Sequence, residues 1–167
     1  MYKLMTSKYF KMAILVIFIL YILFIIFAVL LKNGDALFMR EAIKNTHALP
    51  VSITPFVSIL PYLKGETSIS IAARNLLGNT LIFSPLGFIL PLLSDRFSKF
   101  KNILFISVIF SLSIEISQLI FYLGACDVDD LILNVVGSLL GFSLFHIVFM
   151  KNMLRFKVNS KKSINID

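Results

Sequence analysis

Glu115 is the one charged residue in the otherwise apolar run Asn102–Leu123. An ionisable side chain inside a membrane span costs about 2.5–3.5 kcal/mol on insertion scales, so it is a functional candidate by default. Ser107, Ser111, Glu115, Gln118 and Tyr122 follow one another at steps of four, four, three and four, which puts all five on one helix face. A second polar series, Asp127, Asp130, Asn134, Gly137, Ser138 and Gly141, recurs at helical spacing on the next apolar run. Asn75 and Asn79 stand one turn apart on an earlier run. One aspartate at the start of the last run suffices to cap a helix and complement its dipole. Three aspartates between Asp127 and Asp130 exceed that need and leave binding or catalysis open beside capping. The candidate site is therefore Asn75, Asn79, Glu115, Gln118, Asp127, Asp130 and Asn134, with Glu115, Asp127 and Asp130 as candidate general bases.

Other chemistries find little support. Cys126 is the only cysteine, so there is no intrachain disulfide and no thiolate cluster for a metal. His47 and His146 are far apart in sequence, so no metal site is expected. The 17 phenylalanines read as lipid-facing and packing residues, and no cofactor is implied.

These residues need helices to carry them, and composition says in what solvent. The chain has 167 residues, 58% hydrophobic and only 15% charged, with a mean hydropathy of +0.91. A soluble domain of this length would need more charge to cover its surface, so a bilayer is part of the solvent. The expected fold is an all-α membrane protein, a bundle of four transmembrane helices over residues 12–31, 76–93, 102–123 and 131–150. The second helix is allowed to begin earlier, near Ser70. Residues 1–150 then form the membrane domain, and 151–167 a solvated basic tail with no fold of its own. The apolar stretch of the first span is too long for a signal peptide, and no small-x-small cleavage site follows it. Pro85 and Pro91 are expected to kink the second helix, and Val51–Leu63 is too broken by proline for a fifth span. Phe56, Ile59, Leu60 and Leu63 are expected along the outer interface instead.

The net charge of +7 is distributed in short basic runs beside the spans, which points to an anionic membrane surface and away from nucleic acid. Lys3, Lys8 and Lys11 precede the first span; Arg96, Lys99 and Lys101 lie between the second and third; Lys151, Arg155, Lys157, Lys161 and Lys162 follow the fourth. The turn Gly124–Asp130 has no basic residue. The positive-inside rule then puts both termini in the cytoplasm and the acidic turn outside. Counting about 1.5 Å per residue, Glu115 and Gln118 lie about 20–24 Å from the cytoplasmic end of their helix. Asn79, Glu115 and Asp130 thus share the outer half of the bilayer. Arg74 is the basic residue closest in depth. Gly137 and Gly141 form a G-x-x-x-G pair that admits another backbone, within the chain or from a second copy.

Three polar segments are also similar, in order, to the VanZ-like family. Asn75-Leu-Leu-Gly-Asn79-Thr-Leu-Ile-Phe83-Ser-Pro85-Leu-Gly87 resembles its N-x-x-x-F-x-P-x-G element. Ser113-Ile-Glu115-Ile-Ser-Gln118 resembles S/T-x-E-x-x-Q, and Gly124 to Gly137 resembles G-x-x-D-x-x-D-x-x-x-N-x-x-G. Thr54-Pro55-Phe56 looks like the family's N/T-P-F segment. The resemblance covers about half the chain, from Thr54 to Gly141. Asp129 is an extra acid at a variable position, and Cys126 stands where Ser, Thr or Ala is common. The resemblance implies a protein of the bacterial cytoplasmic membrane and cell envelope, in some members raising tolerance to lipoglycopeptide antibiotics such as teicoplanin. A lipid-linked envelope precursor or the lipoglycopeptide itself is then the expected partner beside the bilayer. An enzyme acting on a lipid-linked substrate is the alternative, and interhelical hydrogen-bond glue is the plainest reading.

Overall fold

Apolar sequence in hydrocarbon forms helix because each backbone N–H and C=O must find its partner within its own segment. The computed structural model describes residues 7–31, 41, 50–121 and 123–164. Among them, four helices are long and apolar enough to span a membrane: α1 (Lys8–Leu31), α3 (Ile69–Leu93), α4 (Phe100–Ile120) and α5 (Val128–Ile164). Their apolar windows are Lys8–Ala28, Ile69–Leu93, Phe100–Ile120 and Val128–Phe149. The four-helix expectation holds, and α3 takes the earlier start. The protein is a multi-pass membrane protein.

Between α1 and α3 lie β1 (Val51–Ser52) and the short helix α2 (Ile59–Leu63); β2 (Cys126–Asp127) precedes α5. A single 3-10 turn, Asp95–Ser98, joins α3 to α4. β1 and β2 pair in parallel, Val51 with Cys126 and Ser52 with Asp127. This small ladder, which the sequence did not suggest, draws the 50–63 segment over the acidic end of the bundle. Of the residues expected along the interface, Phe56, Leu60 and Leu63 are exposed, but Ile59 is buried in the protein.

The closest helix pair is α3 with α5, joined through glycines. A methyl group on Gly87 would fall on the Ser138 carbonyl, one on Gly137 on the Thr80 carbonyl, and one on Gly141 on the Ser84 carbonyl. The G-x-x-x-G face is thus filled by α3 of the same chain, which leaves no room there for a second copy. The Ser138 hydroxyl, fully buried, donates to the Phe83 carbonyl at 3.3 Å and adds a polar tie to this contact. Around the pair, Phe83, Leu86, Leu90, Ile103 and Phe142 form the apolar core. Between helices in lipid such a core holds by close dispersion contact, since hydrocarbon competes equally for apolar surface.

Pro85 and Pro91 both lie inside α3. Pro85 cannot donate to the Leu81 carbonyl one turn back, and the Ser84 hydroxyl does so in its place at 3.1 Å. The first helix lies more loosely against the rest. Tyr21 donates its hydroxyl to the Ile82 carbonyl at 2.8 Å and Ile25 is buried, while Leu20, Phe24 and Phe27 face outward. Helix α5 runs on to Ile164, where a tail without structure of its own was expected. No Gly or Pro follows Gly141 to stop it, and Lys, Met, Leu and Arg are good helix formers. Lys3, His47 and Tyr122 lie outside the described residues.

Candidate functional site

The polar stripe on α4 faces inward as its spacing requires: Ser107, Ser111, Glu115 and Gln118 are all buried. Glu115 stands about 8 Å below the end of its helix, counting about 1.5 Å for each residue to Ile120. It meets the start of α5 there, because the β2 turn returns the chain sharply. The Asp127 amide donates to Glu115 Oε2 at 3.1 Å.

The three aspartates divide their work. Asp127 Oδ1 accepts the Asp129 amide at 2.9 Å, a local cap for the start of α5, while its Oδ2 accepts the Ser58 hydroxyl at 2.6 Å. Asp129 is fully buried and turns to the other loop: its carboxylate accepts the amides of Phe56 (2.5 Å), Ser58 (2.7 Å) and Ile59 (3.2 Å). It thereby supplies acceptors for the orphan N–H donors at the start of α2, where the Ser58 side chain makes no cap. Phe56 has a φ of 68°, in the left-handed region that bulky residues avoid, and the carboxylate fixes its amide there. Asp130 points inward, where Asn79 Nδ2 donates to its Oδ1 at 2.5 Å.

Asn79, Glu115, Gln118, Asp130 and Asn134 line one cavity of about 50 Å³, walled by Ile25, Ala28, Ile82, Phe83 and Ile114. Two of the seven candidate residues stand apart from it. Asn75 donates to the Tyr62 hydroxyl at 2.7 Å, and Asp127 faces Ser58. Arg74 is exposed and does not line the cavity; among the described residues the charged side chains on its wall are Glu115 and Asp130. Asn134 is 3% exposed; its Nδ2 donates to Ser111 at 3.0 Å, and its Oδ1 has no hydrogen-bond partner among the described residues.

Asp129, Ser58 and Tyr62 were not among the expected site residues. The signal for Asp129 was present as a surplus acid beside Asp127 and Asp130. Its partners lie some seventy positions away and carry no spacing that would reveal them. Cys126 lies beside the site, where its thiolate is disfavoured. Burial, then the nearby Glu115 and Asp127 carboxylates, push its thiol up from the ordinary value. Among the described residues no group of three or more His, Cys, Asp or Glu is arranged to hold a metal ion. His146 instead meets the rings of Phe142 and Phe145 edge-on.

A four-span bundle with conjoined Asn, Glu and Asp elements at one end defines the class. The VanZ/LLP1 family profile matches residues 15–149, and the chain belongs to that family. The chain is similar to Protein VanZ of Enterococcus faecium, with 31% identity over 104 residues. That match takes in 62% of this chain and 57% of the relative, so the chain spans little more than half of the relative's length. No solved structure matches.

Proposed function

We propose that this protein acts at the outer face of the bacterial cytoplasmic membrane and contributes to tolerance of lipoglycopeptide antibiotics such as teicoplanin. The observation that carries this reading is the convergence of Glu115, Asp130 and Asn134 on one cavity, at the end of the bundle away from Lys8, Lys11 and Arg96. Buried acids at membrane depth mark function more often than scaffold. Family membership and the similarity to Protein VanZ support the antibiotic connection. A cavity of about 50 Å³ is far below the roughly 300–1,000 Å³ of a drug-sized site, so it suits a small polar group and not a whole glycopeptide. Tolerance then arises through an envelope component. The same two carboxyl groups favour a second reading, an enzyme using Glu115 or Asp130 as general base on a lipid-linked substrate. The experiment is overexpression in a susceptible Gram-positive host. The inhibitory concentration of teicoplanin should rise more than that of vancomycin. An unchanged teicoplanin value at verified expression contradicts the proposal.

A further inference from the structure

Helices α4 and α5 run antiparallel, and their contacts fix a register. Asn134 donates to Ser111 at 3.0 Å, and the rings of Phe142 and Phe100 stand 6.4 Å apart. Four-residue steps along both helices then put Asp130 level with Glu115, Asn134 with Ser111, Ser138 with Ser107, and Phe142 with Ile103. The first three layers are polar, and in them Glu115, Ser111, Asn134, Ser107 and Ser138 are all buried. The fourth is apolar, since Ile103 and Phe142 both belong to the core. One turn beyond Phe142, the His146 ring stands edge-on to it with centroids 4.4 Å apart.

At about 1.5 Å per residue, Ser107 lies about 20 Å from the Ile120 end of α4 and about 10 Å from the Phe100 end. The polar row therefore runs inward from the acidic cavity through about two thirds of the helix. One apolar layer separates it from an ionisable imidazole near the other end.

Plain interhelical glue would leave every member of this row satisfied. Ser107 Oγ and Asn134 Oδ1 are buried, yet neither has a hydrogen-bond partner among the described residues. Such atoms are costly inside a membrane, and internal water is their usual remedy. The cavity that Asn134 lines, about 50 Å³, has room for about three to five water molecules. Ser138 commits its hydroxyl to the Phe83 carbonyl, which leaves Ser107 as the exchangeable group of its layer. Hydroxyl and water each donate and accept, so a file of them passes a proton on by exchanging one hydrogen bond for the next.

We propose that the α4–α5 contact is a proton path, with Phe142 as its gate. A proton enters on Glu115 or Asp130, passes through water held by Asn134 and by the Ser111 and Ser107 hydroxyls, and crosses the Ile103–Phe142 layer to His146. The imidazole releases it at the far end. Each group regains the proton it passes on, so the net event is the movement of one proton down its electrochemical gradient. Glu115 and Asp130 keep their hydrogen bonds to the Asp127 amide and Asn79; the path requires only that one of them exchange a proton. This function goes beyond the antibiotic reading and does not depend on it.

The test reconstitutes the full chain in sodium-free vesicles that hold a pH-sensitive dye. Valinomycin imposes a potassium diffusion potential, and the rate of proton entry is read. Phe142→Ala, which removes the gate, should admit protons faster than the wild type; Phe142→Leu is the milder form of the same variant should the alanine protein not fold. Ser107→Val and Ser107→Thr are then compared in that background, because the two side chains match in shape and only threonine keeps the hydroxyl. The valine form should be about tenfold slower than the threonine form, equivalent to about 1.4 kcal/mol in the barrier for one lost hydrogen bond. A gate variant no faster than protein-free vesicles overturns the proposal, as do equal rates for the valine and threonine forms. Escape of an entrapped fluorescent dye at the same rate as the protons means a disrupted bilayer and overturns it too. The vesicles contain no antibiotic, so this result and the teicoplanin measurement stand or fall separately.

Discussion

A carboxylate that accepts three backbone amides, as Asp129 does from Phe56, Ser58 and Ile59, substitutes for the water that those donors would otherwise require. Removing it leaves all three buried or half-buried donors unmet and releases the left-handed turn at Phe56. Asp129→Ala should therefore lower stability by about 3–5 kcal/mol, in the range for breaking a buried charged partnership. Asp129→Asn keeps one carbonyl acceptor and should lose less. Thermal unfolding in detergent checks the order; an alanine variant that melts with the wild type contradicts it. The excess of acids in Asp127–Asp130 was legible in sequence as more than one cap. Which acid did what was not, because Asp129 is assigned by contacts with the 50s loop, about seventy residues away. Asn75 teaches the same limit. Helical spacing puts it on the face of Asn79, yet Tyr62 takes its amide and only Asn79 reaches the cavity.

Among the elements, the α3–α5 pair is set by the absence of side chains. Gly87, Gly137 and Gly141 let backbone touch backbone, and this close approach brings Asn79 on α3 against Asp130 on α5. A methyl group at Gly141 would meet the rigid carbonyl of Ser84, not a flexible side chain. Gly141→Ala should accordingly destabilise the bundle by about 1–3 kcal/mol through overpacking. Gly78→Ala, whose added carbon meets nothing, should be neutral or slightly stabilising. Equal melting temperatures for the two variants would contradict the packing account. Hydrophobic run lengths made all four spans readable, because hydrocarbon allows few alternatives to helix. Run length says nothing about which helices touch. That required the small residues, whose spacing on α5 identified a close-contact face but not that α3 would fill it. The continuation of α5 to Ile164 is not legible in the charge pattern, because basic residues suit a solvated tail and a helix alike and only helix propensity favours the second.

Among the described residues, three aspartates gather at one end of the bundle, which Lys64 and Arg74 share, and a basic group gathers at the other, beside Asp95. Lys8 and Lys11 lie beside Leu93, the last residue of α3, at the end where Arg96 and Lys99 follow in the turn and Lys101 opens α4. Asp127, Asp129 and Asp130 gather at the opposite end. On the positive-inside rule the acidic end is expected outside. In intact cells, on a Cys126→Ser background, a membrane-impermeant maleimide should modify a cysteine placed at Lys64 and spare one at Lys99. The reverse pattern contradicts the orientation. The proposed function depends on the cavity at this end. Its most direct test is the teicoplanin inhibitory concentration of cells expressing Glu115→Gln, Asp130→Asn or Asn134→Leu, each at verified wild-type levels in the membrane. All three substitutions should return tolerance to that of cells lacking the protein; full tolerance in all three would contradict the account and reduce the cavity to a seam between helices.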